Sequence, residues 1–94
     1  MKKELNPVIH SQLRLAVITI LAQVEEADFN YLKDKTEATA GNLSVQLDKL
    51  SEAGYITITK TFEGKRPRTI ASITDEGRTA LEEYISTLKE ILGL

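Results

Sequence analysis

The sequence predicts an α+β domain, mostly helical, and two changes of hydrophobic period carry that prediction. Up to Ala53 the apolar residues recur at helical spacing, from Tyr55 to Ile73 they alternate, and from Thr74 the helical spacing returns. Length sets the scale: the 94 residues fit a single domain, 1–94, with a modest core. The expected order is helix, short helix, polar turn, helix, β-hairpin, helix.

The first helix is expected to open near Asn6, with Pro7 at its first position, a pairing suited to a helix start. Ser11 offers a second cap, so a bend at His10–Ser11 is anticipated. Leu13, Val17, Ile20, Leu21 and Val24 form a stripe, broadened by Ile9, Leu15 and Ile18, which implies contact on two sides. The basic start and apolar stretch raise the question of a signal peptide. Asn6, His10, Gln12, Arg14 and Gln23 interrupt the stretch and no small-residue cleavage site follows, so it reads as a core helix.

Asn30 is placed to cap a short helix, "YLKDK", with Tyr31 and Leu32 turned inward. "TEATAG" is a polar connection in which Thr39 caps the next helix, about 40–53. Leu43, Leu47 and Leu50 give that helix one inward face, and Gly54 is its expected left-handed stop. "YITITKTF" and "RTIASIT" are the strands of a hairpin, about 55–73, with "EGKRP" as a longer connecting loop holding Gly64 and Pro67. Thr74 caps a last helix, about 75–92, with Asp75 and Glu76 favourably placed in its first turn. Its apolar side is Leu81, Tyr84, Ile85, Leu88, Ile91 and Leu92.

Composition removes several function classes. An apolar share of 41% and a charged share of 28% are those of an ordinary globular protein. The absence of Cys excludes disulfides and thiolate chemistry and fits a reducing cytoplasm. No stretch approaches a membrane span. His10 is the only histidine, so triads and common zinc sites lack partners, and neither an enzyme nor a cofactor is expected. Glu25, Glu26 and Asp28 could bind a hard cation, but a solvated acidic loop is the commoner outcome.

One segment runs against the overall charge. Lys60, Lys65, Arg66 and Arg68 stand against a single acid, Glu63, in a chain of net charge −2. Such a cluster suits phosphates or a narrow minor groove, although a solubilising turn would look the same. On the helix at 40–53, Asn42, Gln46 and Lys49 can hydrogen-bond base edges and Val45 can meet a thymine methyl. Thr39 and Ser44 are the size for phosphate contacts. That helix has one cation, Lys49, against Asp48 and Glu52.

With "GNLSVQLDKLSEAGYI", "GKRPRT" and "ITDEGRTAL" in view, the chain resembles winged helix-turn-helix transcriptional regulators of the MarR/ArsR type, from about Leu5 to the last helix. The resemblance implies that the helix at 40–53 enters the major groove, that the hairpin is the wing, and that the last helix dimerises with the first. Thr39, Asn42, Ser44, Val45, Gln46, Lys49, Lys65, Arg66 and Arg68 become the expected DNA contacts. Ile9, Leu81, Tyr84, Ile85, Leu88 and Ile91 become the expected dimer seam. The expected partners are an inverted-repeat duplex and a second copy of the chain, with any small-molecule effector in the dimer cleft. The rival reading is a winged-helix module whose hairpin binds an acidic protein.

Overall fold

The computed structural model describes residues 4–94. The elements are α1 (Gln12–Leu21), β1 (Ala27–Asp28), α2 (Phe29–Thr36), α3 (Ala40–Glu52), β2 (Ile56–Glu63), β3 (Arg66–Ile73) and α4 (Asp75–Leu92). The strands form one antiparallel sheet in the order β1-β3-β2.

The first helix starts later than the sequence predicts. Asn6 does cap a turn: its Oδ1 accepts from Val8 N at 2.9 Å, and His10 N donates to Asn6 O at 2.8 Å. Ser11 then takes an extended backbone with φ −152°, which ends that turn, and its Oγ accepts from Arg14 N to open α1. The isolated turn drops Ile9 into the core, where it is fully buried.

The short second helix is capped by Asp28, not Asn30. The Asp28 carboxylate accepts from Tyr31 N at 2.8 Å, so α2 begins at Phe29. That phase sends Leu32 inward and leaves Tyr31 45% exposed, contrary to the expectation, with the Lys35 ammonium 5.6 Å from its ring centroid. Asp28 also closes β1, where Ala27 and Asp28 pair with Ala71 and Ile70. A two-residue strand has no period of its own, so no hydrophobic pattern marks it.

Local chemistry governs α3 as expected. The Thr39 hydroxyl accepts from Asn42 N at 3.2 Å, and Leu43, Leu47 and Leu50 are buried. Gly54, at φ +80°, allows Gly54 N and Tyr55 N to bond back to Ser51 O and Leu50 O, a paired C-terminal closure. The chain then enters β2 directly.

The hairpin corrects the expected loop. Glu63 pairs with Arg66 and Phe62 with Pro67, so only Gly64 and Lys65 make the turn. Gly64 is left-handed at φ +63° and Lys65 is not, the pattern of a two-residue turn matched to strand twist. Arg66, Pro67 and Arg68 are strand residues. Proline is tolerated there because β1 reaches only Ala71 and Ile70, leaving β3 with an open edge at Pro67.

Thr74 opens α4 by accepting from Gly77 N at 3.0 Å while donating to Gly54 O at 2.6 Å. A Cβ on Gly77 would lie 2.1 Å from Tyr55 O, so the helix crosses the start of β2 in direct backbone contact. The core lies between α1, α2 and α3 and the inner sheet face, with Ile18, Leu21, Leu32, Leu43 and Leu50 fully buried. Ala80, Leu81 and Tyr84 join this core, while the far end of α4 leaves it.

Candidate nucleic-acid interface

The outward face of α3 is built by its own inward leucines. With Leu43, Leu47 and Leu50 anchored, Asn42, Ser44, Val45, Asp48, Lys49 and Glu52 are all exposed. Val45 stays 49% exposed, an apolar group in a polar surface. Thr39 is exposed too, its oxygen engaged as the cap and its hydroxyl proton available to a phosphate. An amide, a lysine, two hydroxyls and an apolar group therefore share one convex helical surface of the size that enters a major groove.

Gln46 differs from its neighbours. It is half-buried, and its Nε2 donates to Asn42 Oδ1 at 2.9 Å. Its Oε1 accepts from the Arg14 guanidinium, which also donates from Nε to Val8 O at 2.5 Å and from Nη2 to Pro7 O at 3.5 Å. Arg14 was missed by sequence reasoning. Its signal was available: it is the one charged residue within the apolar stretch from Leu13 to Leu21.

The wing carries its cations on a projecting ribbon, exposed from Thr59 to Arg68. Cross-strand partners share a face. Glu63 and Arg66 therefore lie with Thr61 and Arg68, whereas Phe62 and Pro67 lie with Lys60 and Thr69. Arg68 is paired, with Asp28 at 3.6 Å and Glu63 at 3.9 Å. Lys60, Lys65 and Arg66 form no ion pair among the described residues. Both Arg68 contacts are solvent-accessible and long, so each is worth at most about 1 kcal/mol. Phe62, 71% exposed beside Pro67, is a second residue the sequence reading passed over.

The expected dimer seam divides in two. Ile9 is fully buried within the chain itself, and Leu81 and Tyr84 keep little surface to give a partner. Apolar spacing alone does not tell which side of a stripe its own fold covers. Ile85 and Ile91 remain exposed, at 41% and 38%, with Leu88 half-buried between them. Beside this helix lies a cavity of about 610 Å³ lined by Glu4, Asn6, Pro7, Glu83, Tyr84 and Thr87, among others. His10 stands near it, with Nδ1 3.0 Å from the Tyr84 hydroxyl. Asp28 is engaged in its cap and ion pair, and no three metal-ligating side chains gather among the described residues. No helix is long and apolar enough to cross a membrane, again among the described residues.

Comparison with known proteins gives the same architecture. An uncharacterised protein of Methanocaldococcus jannaschii, MJ0432, is 36% identical over 84 residues, covering 89% of this chain and 91% of its own. The solved structure of a transcriptional regulator homologue from Pyrococcus horikoshii OT3 superposes with a TM-score of 0.84 at 27% identity, over 92% of this chain and 85% of that one. Bacillus subtilis PadR, solved in complex with operator DNA, shares the fold with a TM-score of 0.72 at 21% identity, over 80% of this chain and 47% of its own. The family model described as "Winged helix DNA-binding domain" matches residues 13–92, nearly the whole of the helices and hairpin described above. The chain belongs to the winged helix DNA-binding domain family and resembles transcriptional regulators built on that fold.

Proposed function

We propose that this chain is a single-domain, MarR-like regulator that binds a specific duplex as a homodimer in the cytoplasm and represses transcription by occluding a promoter. The observation that carries this reading is the outward face of α3. It leaves Asn42, Ser44, Val45 and Lys49 exposed, each suited to a base edge or phosphate, beside a wing with unpaired cations. α3 supplies base contacts and the wing supplies phosphate contacts, which differ in what they distinguish. Bacillus subtilis PadR, which shares the fold, is solved in complex with operator DNA, and that supports a DNA-binding reading of the same fold here.

The dimer part of the proposal rests on Ile85, Leu88 and Ile91, which the chain leaves partly uncovered on one side of α4. A twofold pair would present two copies of α3 to successive major grooves, so the duplex should be an inverted repeat with half-sites about 10 base pairs apart. An effector, where there is one, would occupy the cavity beside α4, which a partner copy would wall off.

The test has two arms. A low-salt gel shift with fragments upstream of the protein's own gene should give a discrete complex that survives excess random competitor. Sedimentation should give a dimer at tens of micromolar and a folded monomer for Ile85→Glu, whose site is exposed and whose substitution leaves the core intact. A parent monomer that binds an inverted repeat tightly would defeat the dimer. The rival module reading is favoured by exposed Asp48 and Glu52 on α3, and it predicts no sequence preference in the gel shift.

A further inference from the structure

Three side chains on the DNA-facing side form a hydrogen-bonded relay with a fixed direction. A carboxamide has two ends of similar shape, one donating and one accepting, and its neighbours decide which way it points. Arg14 has donors only, and it is itself oriented by the Val8 and Pro7 carbonyls, which can only accept. The end of Gln46 facing Arg14 must therefore be its oxygen, and its amide nitrogen must face Asn42. That nitrogen only donates, so Asn42 must turn Oδ1 toward it, at 2.9 Å. A reversed Asn42 would set two N–H groups against each other.

Asn42 lies in the first turn of α3 and is exposed. Its whole Nδ2 group and the second lone pair of Oδ1 remain for a ligand. We propose that Arg14 is a positioning residue that, through Gln46, presets Asn42 to read adenine in the major groove. Asn42 Nδ2 donates to adenine N7 and Oδ1 accepts from the adenine N6 amino group. Guanine offers acceptors at both N7 and O6, so the fixed Oδ1 would oppose O6 and the pair would be rejected. Gln46 is then a link in the relay and not a reader of its own. This inference rests on the DNA-binding reading above.

The experiment selects a preferred duplex for the full chain from a random pool and maps the Asn42 position as the one where Asn42→Ala loses discrimination. The parent should favour adenine over guanine there by about tenfold or more, the effect of a good bidentate contact. Gln46→Glu keeps an acceptor for Arg14 but removes the donor to Asn42, so the ratio should fall several-fold. Arg14→Met should lower it similarly, and the double variant no further, because both break one chain. Random-DNA affinity of Arg14→Met should fall less than its affinity for the preferred duplex. An unchanged ratio in Gln46→Glu, or an equal loss on all sequences in Arg14→Met, would overturn the relay alone. A parent that selects no duplex from the pool would overturn both the relay and the DNA-binding reading.

Discussion

The face of α3 and the wing both present polar groups to solvent, but the molecule holds them differently. On α3 the leucine stripe fixes the helix, the Thr39 cap fixes its start, and the Arg14–Gln46–Asn42 chain orders side chains before any ligand arrives. On the wing the ribbon projects beyond the core, its residues are exposed from Thr59 to Arg68, and Arg68 alone of its cations has ionic partners among the described residues. Preorganised groups lose little freedom on binding and punish a wrong partner, because a fixed donor or acceptor cannot turn away. Exposed cations adapt to any phosphate and carry little sequence information. On the proposed reading, that difference would give discrimination to the helix and general affinity to the wing.

The largest test of that assignment is to remove the wing charge. Substituting Lys65, Arg66 and Arg68 together with Ala should weaken binding to every duplex alike. In a dimer six phosphate contacts are lost, so the log–log salt slope should become shallower by about 5, at about 0.9 per contact. Salt titrations giving the parent and the variant equal slopes would break the comparison at its base.

The second test uses stability. Leu47→Ala removes a buried side chain beneath α3 and should cost about 2–5 kcal/mol in urea unfolding. Phe62→Ser, at an exposed site on the wing, should stay within about 0.5 kcal/mol of the parent. A large loss at Phe62 would mean that the ribbon is held as firmly as the helix.

How far each region could be read beforehand follows from the range of the forces involved. Leu43, Leu47 and Leu50, the Thr39 cap and the Gly54 stop are contacts within one turn of helix, and they were legible in the sequence. The wing cations were legible as a charge anomaly, but their geometry was not: Pro67 looked like a turn residue because the open edge of β3 that tolerates it is a property of the assembled sheet. Asn30 looked like the cap of the short helix, whereas Asp28, which also pairs with β3, takes that role. Ile9, Leu81 and Tyr84 looked available to a partner, since an apolar stripe does not announce which neighbour covers it. The Arg14 relay joins residues 32 apart and exists only after α1 meets α3.

The third test separates the two regions on one duplex. Lys49→Ala should lose about 1–3 kcal/mol on the preferred site if the ammonium contacts a guanine edge. Competition with random duplex should show far less change there, the reverse of the wing substitutions. A uniform loss across sequences would move Lys49 into the same class as the wing cations.

The smallest effect is expected beside the wing, at Asp28. Its carboxylate caps α2 by accepting from Tyr31 N, and it also lies 3.6 Å from Arg68 on the adjoining strand. Bound DNA must compete with that contact for the guanidinium. Asp28→Asn keeps a capping oxygen, since Asn caps about as well as Asp, and discards the charge. Because the pair is solvent-accessible on both sides, its loss should change folding stability by less than about 1 kcal/mol. Arg68 then keeps only the longer contact to Glu63, at 3.9 Å, and should meet phosphate more readily. Binding to all sequences should tighten by up to about fivefold at low salt, the equivalent of about 1 kcal/mol, and the gain should fade as salt rises. Isothermal binding curves for the parent and Asp28→Asn at two salt concentrations decide it. Weaker binding by Asp28→Asn would show that the ion pair holds Arg68 in its working position, and the wing would then share the preorganisation of the helix.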